Sequence, residues 1–352
     1  MWQAVSDFII YFKGFVNDYD KIMSILIKLL GCVLKALTLR IKTSYSLPFS
    51  AFKPQGYAMG IKLAQFFIYT LVAVLAYRPA VATALKPSSG PIVSASLASD
   101  EILLALFPKA ASEDNIVLSS FVDNPAYSSV TETAAKIPRR WHNSAEALIA
   151  LKPKLVILAS YNHPSYKIRL DQAAIPYIEL KNFNRLTNIK DHIYMIGSAV
   201  GKEGEAKQLV ESFQESIDTL AKENKKFARK PSLIAYSSMG TPGGKDTLID
   251  DIIVQAGGEN LAQKVGLIGW AKLNSEILAG MIPDFIILSD GGLTRAEAIK
   301  QISNDPSWKN FAAVKNQRFI FVNQAKLTSV SHHVLDAIKE IHQQLLEQLN
   351  AK

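Results

Sequence analysis

The stretch EALIALKPKLVILAS runs from Glu146 to Ser160, and EILAGMIPDFIILSD runs from Glu276 to Asp290. Aligned without a gap, they share Glu, Leu, Pro, Ile and Leu at matching positions, and most other positions are apolar in both. Each stretch has apolar residues at helical spacing, a proline that ends the helix, and then a continuously apolar run. Such a run is typical of a parallel strand buried on both faces. The pattern therefore predicts one helix–strand unit that occurs twice.

Alternating strand and helix patterns surround both copies of this unit. The segments IVSAS, NIVLSS and IPYIEL favour strands near the first copy, and SLIAY and RFIFVNQ do so near the second. The first strand leads into a helix for which Ser99-Asp100 is the predicted N-cap. These alternations predict one mostly parallel α/β lobe over residues 90–185 and another over residues 231–352.

The region between the predicted lobes, residues 186–230, has no strand signal. It contains two amphipathic segments, and the second has apolar residues three or four positions apart at Leu209, Phe213, Ile217 and Leu220. The expected fold is therefore α/β, with two Rossmann-like lobes whose sheets are mostly parallel. One long helix bridges the lobes, and a ligand cleft lies between them.

Charge is concentrated at the start of the chain. The 352 residues carry a formal net charge of +8. Residues 1–84 hold 9 Lys/Arg and 3 Asp/Glu, which leaves 30 and 28 for the remainder. Because the remainder is nearly neutral, the basic pI does not indicate a nucleic-acid partner.

Residues 59–84 have the three parts of a secretory signal peptide. Lys62 supplies a short positive region, an apolar run covers residues 63–77, and an A-x-A cleavage site occupies residues 82–84. The alternative interpretation is a buried core helix. We predict export, with residues 1–58 being either an over-extended start of the reading frame or a leader. If that leader is retained, the protein is membrane-associated.

Motifs for catalysis are absent from the sequence. No G-x-S-x-G or H-E-x-x-H occurs, and Gly244-Lys245 precedes Asp246, where a phosphate loop needs Ser or Thr. The single cysteine is Cys32, so a chain starting at Leu85 has no disulfide and no thiolate metal site. We therefore predict a protein that is not an enzyme. A metal site built from three of the six dispersed histidines and a carboxylate is a minor alternative.

Four segments together resemble the periplasmic substrate-binding proteins that deliver cobalamin, haem and iron–siderophore complexes to ABC importers. They are PIVSASLASDEILLAL, SAEALIALKPKLVILAS, TLIDDIIVQAGGENLAQKVGLIGWAKLNSEILAGMIPDFIIL and PSWKNFAAVKNQRFIFV. The resemblance covers the chain from about residue 90 to its C-terminus. It implies two α/β lobes bridged by one long helix, in agreement with the expected fold. It also implies a periplasmic monomer without a resident cofactor.

The resemblance gives the repeated glutamate a role. In that family one glutamate on each lobe binds arginines on the two subunits of the inner-membrane permease dimer, and the matching positions here are Glu146 and Glu276. A binding protein with pseudo-twofold symmetry suits a twofold permease. The alternative is that each glutamate only stabilises the first turn of its helix, by about 0.3–1 kcal/mol through the helix dipole.

Ligand-binding residues are expected in the loops that follow the strands, where open parallel sheets bind small molecules. The predicted set is Ser96, Phe121, Tyr127, Tyr161, His163, Tyr166, Tyr236, Met239, Trp270 and His332. Core packing is the alternative for Trp270. The resemblance implies a Tyr or His axial ligand if the ligand is haem, and aromatic walls if it is a siderophore.

The expected function is capture of an iron complex (siderophore or haem) or a cobalamin-type corrinoid for delivery to the permease. One alternative is a two-lobed α/β enzyme, such as a glycosyl- or corrinoid-modifying transferase, which would need a nucleotide site. Another is a zinc- or manganese-binding relative, which the scattered histidines do not favour.

Overall fold

The fold is known from a computed structural model, which describes most of the chain after residue 88. The described residues are 89–108, 115–236, 242–272, 276–277, 280–289, 291 and 293–350. The predicted leader, signal peptide and Met239 lie outside them. Residues 85–352 form one compact unit.

The first lobe contains a five-stranded sheet in which all neighbours are parallel, in the order β3-β2-β1-β4-β5. Its strands are β1 (Ile92–Ser94), β2 (Ile116–Ser119), β3 (Arg140–Trp141), β4 (Leu155–Ala159) and β5 (Tyr177–Leu180). Its helices are α1 (Leu97–Leu106), α2 (Thr131–Ala134), α3 (Ala145–Ala150) and α4 (Ser165–Gln172), with a 3-10 turn at Ser120–Asp123. The prediction of a parallel α/β lobe is confirmed.

Two long helices follow the first sheet. They are α5 (Leu186–Val200) and α6 (Glu203–Glu223), and a 3-10 turn at Asn224–Lys226 leads to the second sheet. Gly201, in the left-handed conformation with φ 70°, ends α5 and turns the chain into α6. With 21 residues, α6 is about 31 Å long.

The second lobe contains a four-stranded parallel sheet in the order β7-β6-β8-β9. Its strands are β6 (Ser232–Ala235), β7 (Glu259–Asn260), β8 (Phe285–Ser289) and β9 (Phe319–Val322). Its helices are α7 (Leu248–Gln255), α8 (Leu261–Lys264), α9 (Arg295–Asn304), α10 (Ala312–Lys315), α11 (Gln324–Leu327) and α12 (Val334–Asn350). Residues 276–277 are also helical.

The repeated stretch forms the same part of both sheets. Val156 of β4 pairs with Val93 of β1 on one side and Tyr177 of β5 on the other. The residue at the matching position, Ile286 of β8, pairs with β6 and β9 in the same way. Both copies are interior strands with a parallel neighbour on each side, which explains why both are continuously apolar. The predicted repeat is confirmed at the level of strand register.

The start of α1 differs from the prediction. Ser96 is the N-cap: its backbone is extended, with φ −153° and ψ 152°, and its side chain accepts a hydrogen bond from the Ser99 backbone N–H. The prediction of Ser99-Asp100 as the cap is wrong. The Ser96 side chain binds the Ser99 N–H, which is one of the unpaired N–H groups in the first turn of the helix. The helix therefore starts at Leu97, and Asp100 and Glu101 lie inside it.

One face of α6 joins the two lobes. Ala206, Val210, Phe213 and Leu220 of α6 are buried in an apolar cluster that also contains residues from both sheets. The helix contacts α1 of the first lobe and both α7 and α12 of the second. The predicted bridge of one long helix between two parallel α/β lobes is confirmed. Among the described residues, no helix has the length and apolar character needed to cross a membrane.

Replacing Phe213 by Ala should strongly destabilise the protein, because the side chain is 2% exposed at the centre of the bridging face. We expect the free energy of unfolding to fall by about 3–5 kcal/mol, the usual loss for a truncated core phenylalanine. Urea denaturation followed by circular dichroism measures it. Glu211→Ala, on the exposed side of the same helix, is the control and should change stability by less than about 0.5 kcal/mol. Equal effects of the two substitutions would contradict the bridging role.

Candidate functional site

Hydrogen bonds join the loops at the carboxyl ends of the two sheets. Glu101, in α1 after β1, accepts a hydrogen bond from the Ser329 hydroxyl at 2.9 Å and another from Ser331, and both serines follow β9. The Arg185 guanidinium, after β5, donates to Asp246 at 3.0 Å before α7. Since both contacts join carboxyl-end loops, the loops between them border an interlobe cleft, the usual ligand site of such sheets.

Large apolar side chains are exposed in the carboxyl-end loops of both lobes. Tyr161 of the first lobe is 57% exposed, and Phe121 and Tyr127 are also exposed. Across the cleft, Trp270 is 65% exposed and Ile268 is similar. Side chains of this size are usually buried, so their exposure in these loops is unusual. The alternative that Trp270 is a core residue is wrong.

The second-lobe rim of the cleft is a hydrogen-bonded turn. Lys245 N–H donates to the Leu267 carbonyl at 2.8 Å, and Gly269 N–H donates to the Lys245 carbonyl at 2.7 Å. Gly269 has a φ of 66°, which favours glycine. The turn holds Ile268 and Trp270 in exposed positions. Ile268 was not predicted, although its position between two glycines in GLIGW was the available signal.

Tyr161 has an exposed ring and a buried hydroxyl. The ring packs against Phe183 with centroids 5.0 Å apart. Burial raises the pKa of Tyr161 to about 12, against a smaller opposing effect of its hydrogen bond with Ser96. The side chain is therefore a neutral phenol near pH 7. Ser96 and Tyr161, both predicted ligand-binding residues, are thus brought together.

The backbone around Tyr161 is fixed by its neighbour Asn162. The Asn162 side chain accepts from the Ala159 N–H at 2.7 Å and donates to the Ala95 carbonyl at 2.9 Å. These bonds tie the loop after β4 to the end of β1. Tyr161 is consequently held by a rigid loop, which favours a defined contact over an adaptable one.

His163 and Tyr166 differ in burial, although their ring centroids lie only 6.2 Å apart. His163 is exposed, and its Nδ1 lies 2.7 Å from the Ser165 hydroxyl. Tyr166 is only 7% exposed, and its hydroxyl donates to Asn143 Oδ1 at 2.7 Å. Tyr166 lies on the inward face of α4, so it packs in the first-lobe core against Trp141 instead of facing the cleft.

The remaining predicted residues of the second lobe differ in position. His332 is partly buried, and burial followed by the charge of His333 lowers its pKa to about 3. Its Nδ1 has no hydrogen-bond partner among the described residues. Tyr236 donates its hydroxyl to Asp305 at 3.1 Å and packs against the second-lobe core.

Two adjacent acids are fully buried at the end of the cleft. Asp100 accepts hydrogen bonds from the Ser119 N–H, at 2.9 Å, and from its hydroxyl. Burial raises the pKa of Asp100 to about 7 and also raises the pKa of Glu101. Neither acid was predicted as a functional residue. Two acids in the otherwise apolar LASDEILLAL helix were the available signal.

The repeated glutamates are exposed on both lobes. Glu146 lies in the first turn of α3, where Ser144 is the N-cap and donates to Glu146 Oε2 at 3.1 Å. The pKa of Glu146 is lowered by hydrogen bonding to its own backbone N–H first and to Ser144 second, so it is a carboxylate at neutral pH. Glu276 is exposed and helical at the matching point before β8. Both positions are accessible to a partner protein.

No group of three or more His, Cys, Asp or Glu residues suitable for holding a metal ion occurs within the described part of the chain. The exposed side chains of Phe121, Tyr127, Tyr161, Ile268 and Trp270 offer mainly apolar contact.

Comparison with known proteins places the chain in a family. The profile described as periplasmic binding protein matches residues 92–325. An uncharacterized ABC transporter substrate-binding lipoprotein, YvrC of Bacillus subtilis, is 26% identical over 211 residues, which is 56% of this chain and 63% of that protein. An iron-uptake system-binding protein of the same organism is 25% identical over 209 residues, with the same coverage. The matched region spans less than two thirds of the length of these relatives.

Solved structures show the same fold. The periplasmic haem-binding protein RhuT from Roseiflexus sp. RS-1 has a TM-score of 0.62 and 20% identity, covering 72% of this chain and 97% of that one. The periplasmic haem-binding protein HutB of Vibrio cholerae has a TM-score of 0.60 and 21% identity, covering 73% and 98%. At this identity the likeness establishes the fold alone.

Replacing Asp100 by Asn should flatten the pH dependence of thermal stability. Because the folded-state pKa is raised from 3.8 to about 7, the neutral carboxyl contributes stability fully below about pH 4, and this is lost as pH rises through about 7. Melting temperatures measured from pH 4 to pH 8 should therefore fall more for the wild type than for the variant. Asp218→Asn, at an exposed site, is the control. Parallel curves for wild type and Asp100→Asn would show that Asp100 does not titrate as described.

Proposed function

The chain belongs to the periplasmic binding protein family, and on this premise we propose that it is the solute-binding component of an ABC uptake transporter. It captures an iron complex, either a siderophore or haem, or a cobalamin-type corrinoid. It acts as a periplasmic monomer and delivers this ligand to the inner-membrane permease. The observation that carries the proposal is the set of exposed aromatic and aliphatic side chains on both lobes of the cleft.

A large, partly apolar ligand suits this cleft. Phe121, Tyr127 and Tyr161 project from one lobe, and Ile268 and Trp270 from the other. Each square ångström of apolar surface that they bury against a ligand contributes about 25 cal/mol. A flat or bulky chelate that contacts both lobes would use these side chains together, whereas a small ion would leave them exposed.

Two neutral side chains are the proposed iron contacts if the ligand is haem. The imidazole of His332 keeps a free ring nitrogen because its pKa is lowered to about 3. Tyr161 is protonated in the free protein, and its hydroxyl would release a proton on binding ferric iron. The haem-binding and iron-uptake names of the similar proteins are consistent with this ligand class.

The enzyme alternative has less support. A transferase needs a site for an activated donor such as a nucleotide, and the loop before α7 has Asp246 where a phosphate loop would have Ser or Thr. Asp246 is instead bound to Arg185. The similar proteins named above are binding proteins and transport components.

We also propose that Glu146 and Glu276 bind the two subunits of the permease. They lie at the same position of a repeat whose two copies share one strand register. Both are exposed. Helix stabilisation alone would explain one such glutamate, but not the same residue exposed at the same place on both lobes.

Titration of the purified protein tests the ligand class. Haemin, cyanocobalamin, a ferric hydroxamate and a ferric catecholate are added separately, and absorbance and tryptophan fluorescence are followed. One of them should bind saturably, and Trp270→Ala should weaken that binding about tenfold or more, as for a central aromatic contact. Ile168→Ala removes an equally exposed apolar side chain from α4 and should have no effect. Binding only of Zn²⁺ or a nucleotide sugar would overturn the proposal.

Replacing both Glu146 and Glu276 by Ala should abolish uptake of the bound complex while leaving its affinity unchanged. Loss of a charge that pairs with a buried arginine typically costs about 2–5 kcal/mol in an interface. Uptake of the radiolabelled complex is measured in cells that lack the wild-type protein. The exposed pair Glu211 and Glu347, changed to Ala together, is the charge-matched control. If ligand affinity falls and uptake of the remaining bound ligand is normal, the two residues belong to the cleft instead.

A further inference from the structure

One buried carboxyl group fastens the loop after β9 to the first lobe. Glu101 is 1% exposed, and its Oε2 accepts hydrogen bonds from Ser329 and Ser331, which are 228 and 230 residues away in sequence. Both serines are buried as well. Losing the hydrogen bonds of a buried polar group is costly, because the group is left unsatisfied away from water.

The same serines organise the loop that carries His332. Ser331 N–H donates to the Ser329 hydroxyl at 3.2 Å, and His333 N–H donates to the Ser331 hydroxyl at 3.2 Å. Each serine hydroxyl therefore links Glu101 to the loop backbone. Movement of Glu101 relative to the second lobe would displace the cleft residue His332.

The titratable groups around Glu101 come from both lobes. Asp100 precedes it on α1, and Tyr161 approaches from the loop after β4. From the second lobe, His333 acts on it electrostatically, and His333 Nδ1 lies 3.4 Å from Asp336. Burial raises the pKa of Glu101 above its ordinary value, against smaller opposing effects of Ser331, His333, Ser329 and the backbone of Ser129.

The neighbouring acid provides an internal contrast. Asp100 is as deeply buried as Glu101, but its partners Ser119 and Ser94 belong to the first lobe. Separation of the lobes would thus break the hydrogen bonds of Glu101 and expose it to water. Asp100 would keep its bonds.

We infer that Glu101, Ser329 and Ser331 form a clasp that sets the angle between the two lobes, and that its release widens the cleft. The inference deepens the proposed function and rests on it, since the clasp matters for uptake only if the cleft receives the ligand. Glu101 acts as a positioning residue through Ser329 and Ser331. Because closing the clasp returns Glu101 to the environment in which its pKa is raised, closing takes up a proton. Acidic pH therefore favours the closed clasp, and rising pH weakens it.

Spin-label distances in the ligand-free full chain test this clasp. Cys32→Ser removes the native thiol, and Ile168→Cys on α4 with Lys300→Cys on α9 places one exposed label on each lobe. Compared with the labelled protein that keeps Glu101, Glu101→Ala should increase the mean distance between the two labels at pH 5. The increase should exceed about 2 Å, the scale of a loop or domain rearrangement. The double variant Ser329→Ala and Ser331→Ala should do the same. The wild-type distance should increase as the pH is raised, whereas that of Glu101→Gln should not change with pH.

Asp100→Asn is the matched control, because it alters an equally buried acid without touching a bond between lobes. Its distance distribution should equal that of the wild type even if its melting temperature changes. Equal distributions for the wild type, Glu101→Ala and the double serine variant would overturn the clasp. Since no ligand is added, this result does not depend on the titration that tests the proposed function, and either can fail alone.

Discussion

Burial of one face of α6 is the constraint on which the rest of the structure depends. Ala206, Val210, Phe213 and Leu220 enter an apolar cluster that continues into both parallel sheets. Each sheet also has a separate apolar cluster on its other face. The lobes thus share the larger part of their apolar packing around one helix, and each keeps a smaller cluster of its own. A long helix bends little, so motion between the lobes is expected to be small.

The burial of this helix face also positions the loops at the carboxyl ends of the two sheets. Because the strands within each sheet are parallel, their carboxyl-end loops gather along one edge, and α6 holds the two edges next to each other. The exposed Trp270 and Tyr161 and the buried Glu101 all belong to these loops or to the helix that follows them. Under the proposed function, a ligand would cover the apolar surface that these loops expose.

Local sequence patterns predicted the repeated helix–strand unit and the long helix of the fold. The repeated stretch predicted the strands β4 and β8. The spacing of apolar residues predicted α6, although Leu209 and Ile217 are only partly buried. The edge strands β3 and β7 were not predicted because two residues each are too short to show a period. The start of α1 was misplaced because Ser96 and Ser99 are both suitable caps, and only backbone conformation decides between them.

The site was less predictable, since it depends on which side of an element a residue faces. Tyr161 and Tyr166 lie in one short loop-and-helix segment, yet the first is exposed and the second is buried in the core. Glu101 could not be identified from sequence because its partners are more than two hundred residues away. Contacts between lobes exist only once the whole fold is assembled, and no local pattern records them.

Hydrogen–deuterium exchange of the protein, with and without its tightest-binding complex among haemin, ferric siderophores and cyanocobalamin, tests most directly whether the ligand is held between the lobes. Slower exchange is expected in the carboxyl-end loops of both lobes, around Tyr161 and around Trp270, with little change along α6. Protection confined to one lobe, or spread along α6 without the loops, would contradict a ligand held between two lobes that one helix keeps in place.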